Sequence, residues 1–131
     1  MIATRIARDA MAEQLVSVGP NMDIHEAIKL LIEQNISGAP VVDETGALVG
    51  FLSEKDCFKV AFCCCYYQDR GGRVSDYMTP SVVTVNADTD IVTVAEMFLK
   101  GPYRRFPVVA GDRVVGVISR REALKALLEV C

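Results

Sequence analysis

The sequence lacks the groups on which the common enzyme classes depend. It contains a single histidine, His25, so no Ser-His-Asp set with a choice of partners can be assembled. It also has no glycine-rich phosphate loop of the Walker type. His25 follows Asp23 and precedes Glu26 in a predicted first helical turn, which favours an exposed structural residue. We therefore expect no catalytic residues.

We also recognise neither a membrane span nor a secretion signal in the sequence. No apolar run approaches the roughly 20 residues that span a bilayer. Arg5, Arg8 and Asp9 stand where a signal peptide needs an apolar region. We expect a cytoplasmic protein without a membrane partner.

Charge and cysteine content argue against a nucleic-acid-binding protein and against a protein held together by disulfides or a metal. The net charge of -3 leaves no basic stripe for nucleic acid. The five cysteines are odd in number and include the consecutive Cys63, Cys64 and Cys65, which argues against a disulfide framework. No C-x-x-C pair or second Cys/His cluster completes a metal site, so we expect no metal. The three consecutive cysteines are interpreted as small apolar side chains at a buried helix end.

What the sequence does contain is an internal repeat within a chain of ordinary globular composition. The 131 residues are 51% hydrophobic and 24% charged, enough for one sizeable core. A shift of 67 positions places Pro40-Val41-Val42 on Pro107-Val108-Val109. The copies run over about 8–66 and 74–131, joined by the polar, glycine-containing stretch 68–73. We assign 1–70 to the first repeat with its arm and linker, and 71–131 to the second.

Hydrophobic periods predict the same element order in each copy: strand, helix, strand, strand, helix. For the first copy the predicted elements are an extended segment over 15–18, a helix capped by Asp23 and running to about Asn35, strands over 39–42 and 47–52, and a helix from Ser53 to about Tyr66. For the second copy they are an extended segment over 82–85, a helix from Asp90, strands over 106–110 and 113–118, and a last helix capped by Ser119 with Ala123, Leu124, Leu127 and Leu128 inward. The predicted fold is α+β, with the two β-α-β-β-α copies packed sheet to sheet in approximate two-fold symmetry.

The repeated pattern resembles the CBS domain, named after cystathionine β-synthase. The residues that carry the resemblance are Gly38-Ala39-Pro40-Val41-Val42-Asp43, Leu48-Val49-Gly50 and Ser53-x-x-Asp56, with a second imperfect copy downstream. Two tandem copies are similar to a CBS pair, or Bateman module, over about residues 8–130. The resemblance implies a regulatory sensor that binds an adenosine-containing ligand between the repeats and signals to a partner protein. The resemblance implies AMP, ADP, ATP or S-adenosylmethionine as ligand; of these we expect AMP, ADP or ATP, and no cofactor is required.

The resemblance also implies two sets of ligand residues, which we call cleft A and cleft B. Cleft A would combine Ser53 and Asp56 with Pro80, Ser81, Val82, Tyr103, Arg104, Arg105 and Pro107. Cleft B would combine Ser119 and Glu122 with Leu15, Ile36, Ser37, Ala39 and Pro40. In cleft A, Asp56 would bind the ribose hydroxyls and the arginines the phosphate, because a guanidinium fork suits that geometry. Ser-x-x-Asp is equally the pattern of a simple helix capping box.

Cleft B departs from the family pattern, and we expect it to bind a charged nucleotide less well. Glu122 is one methylene longer than the usual Asp, and Ser37-Gly38 supplies no positive charge where cleft A has two arginines.

Alternatives to a nucleotide sensor stay open. The chain could instead be a ligand-free dimerisation or scaffolding module, or a sensor of S-adenosylmethionine, NAD or a cyclic dinucleotide. We also expect a homodimer, because the apolar faces of two helices are too wide for one side of one sheet. These faces carry Phe58, Val60, Ala61 and Phe62 in the first repeat, and Leu124, Leu127, Leu128 and Val130 in the second.

Overall fold

The computed structural model of the chain describes residues 5–12, 14–67 and 71–131, with the backbone alone for 63–67. The fold divides into two compact units, which we name by the repeat that supplies most of each. The repeat-1 unit is Val16–Val82, and the repeat-2 unit is Met1–Leu15 together with Val83–Cys131. The mixed helix and strand content of both units confirms the predicted α+β class. Within the described residues, no helix is both long and apolar enough to cross a membrane.

The repeat-1 unit is a two-stranded hairpin with two helices. Its elements are α2 (Ile24–Glu33), β1 (Gly38–Val42), β2 (Leu48–Ser53), α3 (Glu54–Tyr67) and a 3₁₀ turn at Val74–Asp76. Strands β1 and β2 pair antiparallel, and Gly38 lies opposite Ser53. As predicted, Ile24, Ala27 and Leu31 lie on the buried face of α2. The Asp23 side chain accepts a hydrogen bond from the Glu26 amide, which confirms the predicted N-cap.

The repeat-2 unit follows the same plan. It contains α1 (Ala7–Ala10), β3 (Val85–Asn86), α4 (Ile91–Lys100), β4 (Arg105–Ala110), β5 (Arg113–Ser119) and α5 (Arg120–Val130). The sheet order is β3-β4-β5, with β3 parallel and β5 antiparallel to β4. Phe106, Val108 and Ile118 are fully buried between this sheet and the helices.

Two predicted features are wrong in detail. The first extended segment is not a strand: only Val18 pairs, in a single parallel bridge to Val41, because Gly19 and Pro20 end it at once. The last helix was expected to turn Leu124 and Leu128 inward, yet they are 68% and 78% exposed. The buried residues of α5 are instead the small Ala123 and Ala126. The apolar period of α5 is too broad to decide which side faces the core.

Each unit includes the segment that precedes the other repeat in sequence. Ala7 is fully buried in the core of the repeat-2 unit, and its amide donates to the Thr89 carbonyl. At the corresponding place in the repeat-1 unit, Val74 is fully buried and its amide donates to the Met22 carbonyl. The two repeats therefore exchange their leading segments, and the compact units divide the chain after residues 15 and 82, which are equivalent positions of the repeat.

Candidate functional site

Ser53 and Asp56 form a reciprocal cap at the start of α3. The Ser53 amide and hydroxyl both donate to Oδ2 of Asp56, each at 2.9 Å. The Asp56 amide donates back to the Ser53 hydroxyl at 3.2 Å. The capping box that the sequence pattern allowed is thus present, and it satisfies two groups at a helix end.

The cap leaves one carboxylate oxygen of Asp56 available. No described residue donates a hydrogen bond to Oδ1 of Asp56, and Oδ2 already accepts two. Since no buried side-chain oxygen of the described residues lacks a partner, Oδ1 reaches solvent. The side chain is almost wholly buried, with 7% of the residue exposed. A carboxylate oxygen has two lone-pair sites, so Oδ1 can accept both hydroxyls of a ribose while the cap stays closed.

Ser119 and Glu122 form the equivalent cap of α5 with weaker geometry. The Ser119 amide donates to Oε1 of Glu122 at 2.9 Å, and the return bond from the Glu122 amide is 3.4 Å long. The hydroxyl of Ser119 makes no donation to Glu122 corresponding to that from Ser53 to Asp56. The extra methylene of Glu122 therefore yields a cap with fewer and longer bonds.

Backbone bonds tie each cap to the loop before the preceding strand. The first amide of α3, from Glu54, donates to the Ser37 carbonyl at 2.9 Å. The first amide of α5, from Arg120, donates to the Arg104 carbonyl at 3.2 Å. Since these amides are already bonded, they are not available to a phosphate, contrary to what an unpaired helix N-terminus would offer.

The basic stretch of cleft A lies where β4 begins. Arg104 is exposed, and Arg105 is half-buried and pairs with Ser119 across the sheet. The Tyr103 ring lies 4.9 Å from that of Phe106, which is itself 4.5 Å from the ring of Phe98. Tyr103 remains 37% exposed, so one aromatic residue beside the arginines is held in place by the core and open to solvent.

The predicted site residues are shared between the units. The repeat-1 unit contains Ser53, Asp56, Pro80, Ser81 and Val82 of cleft A and Ile36, Ser37, Ala39 and Pro40 of cleft B. The repeat-2 unit contains Tyr103, Arg104, Arg105 and Pro107 of cleft A and Leu15, Ser119 and Glu122 of cleft B. The side chains of Ala39, Pro40 and Pro107 are buried, so only their backbone could meet a ligand. Pro80 and Ser81 are exposed, as is Leu15 at 38%.

The sequence did not single out Thr79, which anchors the segment bearing Pro80, Ser81 and Val82. Thr79 and Phe51 exchange two backbone hydrogen bonds of 2.9 Å, and Phe51 lies two residues before Ser53 on β2. The repeat could have indicated this position, because a shift of 67 places Thr79 on Ala12. In the structure the Ala12 amide likewise donates to the backbone of β5, at the Val117 carbonyl.

The cysteines and the histidine are the remaining candidates for a nucleophile or a metal ligand. Burial raises the pKa of Cys57 to about 11, with smaller contributions from the charges of Asp56 and Glu54. Its thiol is therefore protonated at neutral pH. His25 is exposed, as predicted. The side chains of Cys63, Cys64 and Cys65 lie outside the described residues, and the described part of the chain contains no cluster of possible metal ligands.

An apolar groove runs between α2 and α3, and its lining includes Ile36 and Ser37 of the predicted cleft B and Glu54, the first residue of α3. Its volume is about 490 Å³. Ile32 and Phe58 stand on its wall at 73% and 74% exposure. Cys57 also lines the groove, but the residue is only 9% exposed and packs in the repeat-1 core, which accounts for the desolvation of its thiol.

Comparison with known proteins identifies similar adenosyl-ligand complexes. CBSX2 of Arabidopsis thaliana, solved in complex with AMP, is 30% identical, and the match covers 95% of this chain and 97% of that one, with a TM-score of 0.82. The CBS domain pair of protein MJ0100, solved with 5'-methylthioadenosine and S-adenosyl-L-methionine, is 28% identical, with coverage of 95% and 97% and a TM-score of 0.78.

One curated relative is considerably longer than this chain. The uncharacterized protein MJ1225 of Methanocaldococcus jannaschii is 29% identical over 120 residues, which are 92% of this chain and 42% of that protein. The chain thus spans less than half the length of this relative. The CBS domain family itself matches twice, at residues 7–62 and 74–129. The chain belongs to the CBS-domain family and contains a tandem pair of its repeats.

Proposed function

We propose that this CBS pair is a regulatory module that binds AMP, ADP or ATP through the residues of cleft A and signals to a partner protein. The observation that carries the proposal is the Ser53–Asp56 cap, which keeps a nearly buried carboxylate in place with one oxygen unbonded among the described residues. The AMP complex of CBSX2 supports the ligand class. No catalytic step is assigned to the chain.

Charge distribution favours cleft A over cleft B for a phosphorylated ligand. Arg104 and Arg105 stand in the cleft A set, and the equivalent residues of the first repeat are Ser37 and Gly38. Because a ribose contact needs a carboxylate that is fixed in place, the tighter cap at Asp56 favours the same choice.

The apolar groove supports a second proposal, that the module acts as a homodimer. Phe58 and Ile32 border the groove in the repeat-1 unit, and Leu124 and Leu128 are exposed on α5 of the repeat-2 unit. Large exposed apolar residues on the helices of both repeats are typical of a surface that binds another protein. A ligand-free dimerisation module remains the alternative function that these faces favour.

Calorimetric titration of AMP into variants of the two caps tests the nucleotide proposal. Asp56→Ala should weaken AMP binding by at least about tenfold, since charge-assisted hydrogen bonds to ribose are lost. Glu122→Ala should change the affinity much less. Equal losses from both variants, or no loss from Asp56→Ala, would contradict the assignment of cleft A.

The cap itself requires a control, because Asp56→Ala also removes a capping group worth about 1 kcal/mol of stability. Asp56→Asn keeps a carbonyl oxygen for the Ser53 amide and loses the charge. Its unfolding should stay close to that of the wild type while its AMP affinity falls. A loss of affinity that merely follows the loss of stability through the series would favour a structural role only.

A further inference from the structure

Gly50 on β2 lies directly beneath the segment that leads to Pro80. A Cβ atom added at Gly50 would lie 2.6 Å from Sδ of Met78 and 2.9 Å from the backbone oxygen of Thr79. Carbon atoms do not approach other heavy atoms so closely without a shift, so any side chain here displaces its neighbours. The methionine can rotate, but the Thr79 oxygen can move only with the backbone.

The backbone at Thr79 is fixed by β2 itself. The Thr79 amide donates to the Phe51 carbonyl, the Phe51 amide donates to the Thr79 carbonyl, and both bonds are 2.9 Å long. Met78 packs against the core of the repeat-1 unit immediately before this pair. The pair is an isolated bridge, so no neighbouring ladder would hold the segment if it failed.

We propose that Gly50 is a positioning residue for nucleotide recognition, because its bare Cα lets Thr79 bond to β2 two residues before Ser53. The bridge fixes where the segment 80–82 starts relative to the Ser53–Asp56 cap. This inference rests on the proposed function, in which segment 80–82 and the cap both belong to cleft A. It adds that the segment contacts the base, since Asp56 is assigned to the ribose and the arginines to the phosphate.

The second repeat offers a matched control with one difference. The three atoms nearest to a Cβ at Gly116 are Sδ, Cγ and Cε of the Met11 side chain, the third of them at 3.3 Å. Any backbone atom therefore lies at least 3.3 Å from this Cβ, against 2.9 Å at Gly50, so rotation of one flexible side chain relieves the closest contacts. The same substitution is therefore disruptive to the backbone at Gly50 and tolerable at Gly116.

The experiment compares Gly50→Ala and Gly116→Ala, each with and without alanine at its methionine, Met78 or Met11. Hydrogen exchange of the ligand-free proteins reports the bridge directly. Titrations with AMP and IMP measure how well the protein recognises the base, because these nucleotides share ribose and phosphate and differ only in the purine. The ratio of the two affinities does not change when a fraction of the protein is merely unfolded.

Gly50→Ala should speed exchange at the amides of Phe51 and Thr79. It should also lower the ratio of AMP to IMP affinity by about three- to tenfold, the effect of one neutral hydrogen bond. Adding Met78→Ala should restore neither the slow amide exchange nor the affinity ratio. Gly116→Ala should leave the exchange rates and the affinity ratio near wild type, with or without Met11→Ala. Thr79→Pro, which removes the amide donor without adding an atom against Gly50, should reproduce the loss if Gly50→Ala fails to fold.

Unchanged exchange and an unchanged affinity ratio in Gly50→Ala would overturn the inference. So would full rescue by Met78→Ala, which would reduce the effect to a clash between side chains. Wild-type protein that binds neither nucleotide would overturn the proposed function and the ligand role of Gly50 together. The exchange result would then separately show whether Gly50 holds the bridge.

Discussion

At the scale of single residues, one sequence pattern can serve both as a helix cap, which is observed, and as the ribose contact that we propose. Ser-x-x-Asp predicts a helix cap from local chemistry alone, and the structure contains that cap at Ser53 and Asp56. Local chemistry does not reveal that Oδ2 takes all of the cap bonds and leaves Oδ1 open, because this depends on side-chain rotamers. Sequence could therefore nominate Asp56, and geometry was needed to show which oxygen the cap uses and which it leaves for the proposed ribose contact.

Arg105 is predicted to read the ligand phosphate. Adenosine should bind far more weakly than AMP, and Arg105→Ala should narrow that gap, because a guanidinium–phosphate pair is lost. Arg105→Lys should restore the gap only in part, since the charge remains and the bidentate fork is lost. Calorimetry with adenosine and AMP, each titrated into wild type, Arg105→Ala and Arg105→Lys, measures the effect. Added salt should weaken AMP binding, because charges are screened over about 8–10 Å at physiological ionic strength.

Arg104, the exposed neighbour of Arg105, belongs to the same predicted phosphate set, so a double variant tests both arginines together. A preference for AMP that survives Arg104→Ala and Arg105→Ala together would remove the phosphate role from both residues. The charge would then have to come from the start of α3, where Lys55 is exposed.

Cys57 is predicted to resist alkylation although it lines a groove. With a pKa of about 11, roughly one thiol in a thousand is ionised at pH 8, and the thiolate is the reactive form. Iodoacetamide at pH 8 followed by peptide mass mapping should label the exposed Cys131 well before Cys57. Comparable labelling rates at the two positions would contradict the burial of Cys57.

The same pKa predicts a loss of stability in alkali. The folded protein retains the Cys57 proton above the ordinary thiol pKa of 9.0, so this contribution is complete below pH 9 and disappears as the pH rises towards about 11. Unfolding curves of wild type and Cys57→Val should diverge in that pH range. A constant difference between the two proteins from pH 8 to 11 would exclude the effect.

At the scale of elements, sequence periods located the long helices and the strands and missed the short connecting turns. The face of α2 was predictable because Ile24, Ala27 and Leu31 repeat at helical spacing. The four-residue α1 at Ala7–Ala10 has no such period, since one turn is too short to show one. Its attachment to α4 and α5 is a long-range contact that local patterns cannot encode.

The N-terminal segment is predicted to stabilise the second repeat rather than the first. Ala7→Asp would bury an unpaired charge in the repeat-2 core, at a cost of several kcal/mol. Hydrogen exchange should accelerate in α4 and α5 and stay unchanged in α2 and β1. Arg8→Asp, the same new side chain at the adjacent exposed position, should change neither region.

If hydrogen exchange in Ala7→Asp accelerated first in α2 and β1, the N-terminal segment would belong with the first repeat, which follows it in sequence. The bonds from Ala7 to Thr89 and from Arg8 to Ala87 argue for the opposite result, as does the ion pair between Arg5 and Glu129 on α5.

At the scale of the whole molecule, the sequence predicts the repeat, but it does not show what covers the apolar faces of the helices. The repeat was readable because two copies of one pattern reinforce each other in a single chain. The exchange of leading segments was not readable, because a sequence alignment assigns each segment to its own copy. Among the described residues, Phe58 and Leu128 are uncovered, at 74% and 78% exposure.

The exposed helix faces are therefore predicted to bind a second copy of the chain. Light scattering at high micromolar concentration should give twice the chain mass, and Phe58→Asp or Leu128→Asp should shift the protein towards monomer, because each places a charge in an apolar interface. Val83→Asp is the control, since Val83 is an apolar residue, 43% exposed, outside the helices. A wild-type monomer at high micromolar concentration, or an equal shift from Val83→Asp, would contradict dimerisation through these faces.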